Sequence, residues 1–399
     1  MHVALHDCGG YPFTFQLARA LARRGCVVDY LWFSPPHSSR ANPDSADFDD
    51  DKLRVIPLEM GRDCEKSNYL KRYLWEREYG RLASKRIANI KPDTVLSANT
   101  PLLAQKCIAK ACDTANANFI YWLQDIRAVA ARTILGHKLP FIGHAAGWWL
   151  MRLQRRLLHR SDRVIAISES FRPTLRKWGL PDAAMHVIPN WTPLEETPQR
   201  PRKNEWARAQ GLDDKKCLLY SGNLGSKHHP QIFVELCERF RGRDDVIVVI
   251  VSEGSGARML QKEKKFRKLH NLRILGFQPY ERLPDVLGTA DILMGMLSRA
   301  ASEFSVPSKV LTYLCAGRPV LLSMPQDNPA ARIVEKEGAG RVVPPDDAAG
   351  FYAVARELLA DPDLRRHMGK KARRYAERAF NIERIAARFE EVICHADAP

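Results

Sequence analysis

The chain has 399 residues, 45% of them hydrophobic and 27% charged, which suits a folded protein of two domains and excludes a disordered or fibrous chain. Its nine cysteines form no CxxC pair and are odd in number, which reads as reduced thiols of a cytosolic protein with no zinc site. The formal charge is +16, so an anionic partner is expected; the N-terminus MHVALHDCGG is unlike a signal peptide, and no run of about 18 apolar residues offers a membrane span.

In chain order, His2–Leu5 reads as a short strand, Phe13–Arg24 as a helix with Phe13, Leu17, Ala20 and Leu21 on one face, and Val27–Phe33 as a second strand. A helix is expected over Tyr69–Asn89, and further strands at Thr94–Ser97, Phe119–Leu123, Arg163–Ile167 and His186–Ile188. This alternation predicts an α/β fold with a parallel sheet covered by helices on both faces. Residues 191–203, WTPLEETPQRPRK, hold three prolines and no apolar period, and read as an exposed linker. A second series follows, with strands at Cys217–Tyr220, Val246–Val251, Leu272–Leu275, Ile292–Met294, Val320–Leu322 and Gly340–Val343. Asp361–Val392 reads as helix with a break near Phe380-Asn381. The expected architecture is two doubly wound α/β domains: residues 1–192, a linker at 193–204, residues 205–375, and a final helix at 376–399 returning toward the first domain. Ligands of such sheets bind outside the carboxyl ends of the strands, and two facing domains place that crevice between them.

The most informative stretch is Val306 to Leu322, VPSKVLTYLCAGRPVLL. Pro307 sits in a turn, and a helix begins near Ser308 with Val310, Leu311 and Leu314 on its apolar face. Gly317 is placed to cap that helix in the left-handed conformation, and Pro319 prevents its continuation. Ser308 and Lys309 would add a hydroxyl and a cation to the unpaired N–H groups of the first turn, a setting suited to phosphate. The plainer alternative is an ordinary αβ unit with a solvated lysine.

Glycine loops recur at the predicted strand ends. Cys8-Gly9-Gly10-Tyr11 follows the first strand, but is not GxGxxG, so a dinucleotide site is disfavoured; a tight βα turn is the alternative. In the second half, Ser221-Gly222-Asn223-Leu224-Gly225-Ser226-Lys227 reads as a phosphate cradle without the Walker pattern. It is followed by Ser252-Glu253-Gly254-Ser255-Gly256 and by Gly276-Phe277-Gln278-Pro279. Three such loops in one domain point to a nucleotide lying across the sheet edge. Asp125 ends a buried strand, where a carboxylate would orient a sugar hydroxyl, stabilise charge developing on a sugar ring, or cap the next helix. Glu303 is the acid nearest the opening motif, with a solvated loop acid as its alternative. No HExxH or other metal-ligand spacing, GxSxG or catalytic-cysteine signature is present.

From Arg127 to Lys177 there are eleven Lys/Arg against two acids, Asp162 and Glu169. Within this window Trp148, Trp149, Leu150, Met151, Leu153, Leu157 and Leu158 interleave with Arg152, Arg155, Arg156 and Arg160. Segment 147–160 is thus a basic amphipathic helix suited to an anionic membrane surface; a surface helix packed on the core is the alternative. A zinc finger, an RNP-like strand and a helix-turn-helix are all missing, so nucleic acid is not the expected partner.

Together these segments resemble the family-4 (group 1) retaining glycosyltransferases of the GT-B fold. The resemblance runs over nearly the whole chain: Gly9-Gly10 with Phe15–Leu21, Val164–Ser170, His186–Trp191, Ser221–Gly225, Asn271–Pro279 and the Val306–Pro319 motif. Val306-Pro307-Ser308-Lys309, Gln124-Asp125 and Asn190-Trp191 look like the subgroup that builds bacterial surface polysaccharides, similar to colanic-acid and fucosamine transferases. The wider family carries two glutamates eight residues apart; counted back from Gly317 they fall on Phe304 and Thr312, with Glu303 one residue off. Either Glu303 shifts in or Ser305, Ser308 and Lys309 serve instead, and Asp125 stands where the family has a histidine.

The resemblance implies a nucleotide-sugar donor, a UDP-sugar, held mainly by the second domain without a metal. Ser221, Gly222, Asn223 and Lys227 would contact the diphosphate, and Phe277, Gln278 and Pro279 the base. Glu253 and the Ser305–Ser308 turn complete that site, with Gly9 and Gly10 approaching across the cleft. Asp125, Lys309 and Glu303 are the candidate catalytic side chains. The implied acceptor is a lipid-linked saccharide or polysaccharide precursor, reached from the cytoplasmic membrane face. A nucleotide-sugar epimerase of the same fold and a non-catalytic basic binding protein are the alternatives.

Overall fold

A computed structural model describes residues 1–34, 51–62, 68–129, 140–225, 228–299 and 307–394. The chain divides into two compact units, residues 1–190 with 381–399, and residues 191–380.

The first unit holds strands β1 (His2–Asp7), β2 (Val27–Ser34), β3 (Leu53–Glu59), β4 (Thr94–Ala98), β5 (Asn118–Leu123), β6 (Arg163–Ala166) and β7 (Met185–Val187). They form one parallel sheet in the order β3-β2-β1-β4-β5-β6-β7. Its helices are α1 (Pro12–Arg23), α2 (Tyr69–Ile90), α3 (Leu102–Ala115), α4 (Pro140–Arg160) and α5 (Arg172–Lys177). The strand order reverses between β1 and β4, so the loops after these strands flank the crevice that such sheets use for ligands. β3 was not foreseen. Pro57 within it argues against a strand, yet β3 is the sheet edge, where a missing backbone donor is tolerated.

The second unit holds β8 (Lys216–Ser221), β9 (Val246–Val251), β10 (Leu272–Leu275), β11 (Ile292–Met296), β12 (Val320–Ser323) and β13 (Gly340–Val343), in the parallel order β10-β9-β8-β11-β12-β13. The helices of this unit are α6 (Glu205–Ala209), α7 (Gln231–Arg239), α8 (Ser255–Arg267), α9 (Leu283–Gly288), α10 (Ser308–Cys315), α11 (Pro329–Lys336), α12 (Ala348–Ala360) and α13 (Pro362–Ala379). β9 is apolar throughout and buried along its length, as a central strand covered on both faces should be. The order reverses between β8 and β11. α10 stops as expected, with Gly317 at φ +66° just beyond the helix.

Two expectations need correction. Residues 191–203 do not run as an exposed linker: Trp191 and Thr197 are buried, and Arg202 is paired with Asp291. The prolines remove periodicity but do not prevent packing. The basic helix α4 also uses its apolar stripe internally, since Leu153, Gln154, Leu157 and Leu158 are all buried. The leucines expected to face a membrane therefore belong to the core.

The last helix, α14 (Ile382–Cys394), is part of the first unit. It buries Ile385, Ala386, Phe389, Val392 and Ile393. The Phe389 ring meets that of Trp122 at 4.7 Å, and Glu390 pairs with Arg24 at 2.6 Å.

Candidate active site

Three loops of the second unit form one rim at the carboxyl edge of its sheet. The Gly222 N–H donates to the Val251 carbonyl at 3.0 Å, and the Gly256 N–H to the Leu224 carbonyl at 3.0 Å. Gly222 has φ +133°, a backbone conformation that favours glycine, and a Cβ there would press to 3.3 Å from Lys309 Nζ. Glu253 Oε1 accepts from the Phe277 N–H at 3.1 Å, which ties the second loop to the third. Glu253 therefore holds the rim together.

Lys309, on the first turn of α10, points back to this rim. Its ammonium lies 4.0 Å from the centre of the Tyr220 ring, donates to the Tyr220 hydroxyl, and reaches the Asn223 carbonyl at 3.4 Å. None of the ion pairs among the described residues involves Lys309, and burial pushes its pKa down to about 7. A desolvated cation without a carboxylate, beside a glycine loop and a helix N-terminus, is suited to an incoming polyanion. Ser308 is exposed on the same turn, and Pro307 occupies the cap position.

Tyr313 explains how α10 is held against this rim. Pairing between β8 and β11 stops at Leu219↔Leu293. Two residues further on, the buried Tyr313 hydroxyl accepts from the Ser221 N–H and donates to the Ser221 carbonyl, both at 2.9 Å. The side chain thus replaces a strand neighbour where the sheet opens. Thr312 carries a hydroxyl, 3.3 Å from that of Thr192, at the position where a family carboxylate was sought.

In the first unit, the expected loop after β1 is organised by Asp7. Its carboxylate accepts from the Gly9 N–H (2.8 Å), the Tyr11 N–H (2.7 Å), the Thr14 hydroxyl (2.6 Å) and the Asn99 amide (3.1 Å). Burial raises the Asp7 pKa, and the four donors oppose that shift. The Gly9 N–H is thereby committed within the loop and is not available to a ligand as expected. Gly10, at φ +57°, approaches the Trp32 ring and the Phe33 carbonyl. Asn99, itself at φ +52°, also accepts at its carbonyl from Arg127 at 3.1 Å. The loops after β1, β4 and β5 are therefore joined at the point where the strand order reverses. Asp125 is half-buried just beyond β5, and its carbonyl accepts from the Arg127 N–H at 2.9 Å. Beside it, Gln124 accepts from the Asn190 side chain at 2.5 Å.

Of the residues singled out in the sequence, Ser221, Gly222, Asn223, Glu253 and Lys309 share the second unit's rim with the Phe277 loop. Phe277 is 43% exposed and open to a ring above it. Gln278 is not aimed at that position: its amide accepts from the Trp206 indole at 3.0 Å and donates to the Gly276 carbonyl at 3.1 Å. Pro279 is exposed and precedes a short helical turn. Gly9, Gly10 and Asp125 lie at the carboxyl edge of the first unit's sheet. Lys227, Glu303, Ser305 and Val306 lie outside the described residues. Sequence reasoning missed Tyr220, Asp7 and Asn99, and took Tyr313, which follows Lys309 by one helical turn, only as part of the Val306–Pro319 motif without a role of its own.

Residues 9–191 match the family described as a glycosyl transferase 4-like domain, and residues 202–375 match the glycosyl transferases group 1. The chain is a group 1 glycosyltransferase. This glycosyltransferase is 26% identical over 307 residues to the putative colanic acid biosynthesis glycosyl transferase WcaI of Escherichia coli K12, spanning 75% of this chain and 73% of that one. It is 24% identical over 225 residues to the alpha-D-kanosaminyltransferase of Streptomyces kanamyceticus, spanning 55% and 56% of the two chains. Among solved structures, Anabaena Alr3699/HepE in complex with UDP and glucose superposes with a TM-score of 0.73 at 15% identity, over 99% of each chain. WaaG, a glycosyltransferase involved in lipopolysaccharide biosynthesis, superposes with a TM-score of 0.68 at 14% identity, over 98% of this chain and 99% of that one. The architecture is GT-B, with two Rossmann-like domains.

Proposed function

We propose that this glycosyltransferase moves a sugar from a UDP-sugar to a lipid-linked saccharide or polysaccharide precursor, with retention of anomeric configuration and without a protein-held metal. The observation that carries the donor assignment is Lys309, a half-buried ammonium without a carboxylate partner beside Gly222 and the first turn of α10. When the bond between the anomeric carbon and the diphosphate oxygen breaks, negative charge grows on the diphosphate. A cation and backbone donors fixed in place stabilise that charge without reorganising. The acceptor hydroxyl attacks from the face that the diphosphate leaves, and its proton passes to the departing phosphate oxygen. Asp125, at the edge of the first unit's sheet, orients the sugar or acceptor hydroxyls.

The names of the relatives support a surface-polysaccharide role of the WcaI kind, and the UDP complex of HepE supports the nucleotide. The exposed Trp148 and Trp149, with the arginines behind them, support peripheral association with the inner membrane face. Thermal-shift screening against UDP-, GDP- and dTDP-sugars identifies the donor, because a ligand selective for the native state raises its apparent stability. Lys309→Ala is expected to abolish transfer with the fold intact; near-normal turnover in that variant would sink the assignment.

A further inference from the structure

Tyr220 stands where the second sheet opens. On one side it pairs with Ile250 of β9, whereas pairing with β11 ends one residue earlier, at Leu219. Its ring is buried, with the Phe233 ring of α7 at 5.3 Å and that of His228 at 6.3 Å, both edge-on. Packing of this kind leaves the ring a single position.

A tyrosine hydroxyl has one proton to donate. That of Tyr220 goes to the Asn223 carbonyl at 2.8 Å. Only its lone pairs remain for Lys309, whose ammonium donates to it. Burial raises the Tyr220 pKa far above its ordinary value, with the neighbouring Tyr313 adding to the rise, so the hydroxyl stays neutral. The Asn223 carbonyl also accepts from Lys309, at 3.4 Å. Two of the three ammonium N–H bonds thus meet fixed neutral acceptors, and the third is left for a ligand. A carboxylate in either place would cancel the charge that a diphosphate needs. A hydroxyl and a carbonyl orient the ammonium and leave its charge whole. The other titratable groups that reach Tyr220, Tyr313 of α10 and His228 beside the glycine loop, carry no negative charge.

We propose that Tyr220 is a positioning residue of the donor site: its hydroxyl fixes where the Lys309 ammonium stands and helps it keep its proton, so that the donor diphosphate meets a cation already aimed. The proposal rests on the reading of Lys309 as the donor-site cation and adds the residue that acts through it.

The test uses the full chain and UDP. Tyr220→Phe keeps the ring against Phe233 and removes only the hydroxyl. Losing a hydrogen bond to a charged group favours the neutral amine about tenfold. With the Lys309 pKa at about 7, UDP affinity measured by calorimetry should fall about tenfold at pH 8 but only about twofold at pH 6. Protonation of the phosphate affects both proteins alike. Proton uptake on binding at pH 7, read from buffers of different ionisation heat, should rise from about one half to about nine-tenths of a proton. An equal loss of affinity at the two pH values would mean that Tyr220 merely supports the loop through Asn223, and would overturn the proposal. So would unchanged affinity and uptake in Tyr220→Phe when Lys309→Met has lost UDP. Wild-type affinity in Lys309→Met would overturn the donor reading itself, and this role with it.

Discussion

Replacing Lys309 with methionine should make the empty protein more stable and the donor site useless, with both effects depending on pH. The Lys309 pKa of about 7 in the folded protein compares with about 10.4 for an unfolded lysine. Because the folded value is depressed, the unfolded chain binds more protons between those limits, and stability rises with pH across that window. The burden of the buried charge is complete below pH 7. It amounts there to about 5 kcal/mol and falls to about 2 kcal/mol at pH 9, at about 1.4 kcal/mol per pH unit. Lys309→Met, which keeps the length and discards the charge, should recover stability of that order at pH 7 and less at pH 9 in denaturant titrations. Donor binding runs the opposite way. A diphosphate favours the charged amine, so above pH 7 the site must take up a proton to bind. Affinity for UDP should fall about tenfold per pH unit from pH 7 to 9, since the terminal phosphate, with a second pKa near 6, is already ionised there. Calorimetry in buffers of different ionisation heat should show uptake approaching one proton at pH 9. Binding that is flat across this range, or that survives unchanged in Lys309→Met, would refute the reasoning.

Tyr313→Phe removes the hydroxyl that satisfies both backbone groups of Ser221; it should cost about 1–3 kcal/mol in urea unfolding and raise the KM for donor more than it lowers kcat. Gly222→Ala puts a Cβ against Lys309 at φ +133°; the global fold should survive, while donor affinity measured by calorimetry drops about five- to a hundredfold, from about 1–3 kcal/mol of local strain. Asp7→Asn keeps the shape but turns an amide donor toward a set of donors. It should lower stability by about 1–3 kcal/mol and speed hydrogen exchange at Gly9 and Tyr11, and unaltered exchange there would contradict the role of Asp7.

The strands were legible because their apolar runs are short, bounded and regularly spaced: Val246–Val251 and Leu272–Leu275 match residue for residue. β3 was illegible because Pro57, Arg54 and Glu59 disguise a strand that needs partners on one side only. The rim of the second unit was legible in its glycines and in Lys309, since backbone conformation and charge are local properties. Its supports were not. Tyr313 and Ser221 are 92 residues apart in the chain, as are Asp7 and Asn99, and no local pattern announces such pairs. Periodicity gave α4 its two faces but not their destinations. Leu153 and Leu157 suit a bilayer and a protein interior equally well, and only the neighbouring elements decide between them.

The return of α14 to the first unit imposes an order on synthesis. Residues 191–380 form a continuous stretch that can complete its own core as soon as it leaves the ribosome. Residues 1–190 emerge first yet lack Phe389 and its neighbours, so Trp122 and the adjoining surface wait uncovered. At about 5–20 residues per second that interval lasts roughly 10–40 s. Removing the last helix would make this exposed state permanent, and a fragment ending at residue 190 would carry it as a sticky face. The first part of the chain to be made is therefore the last to be finished.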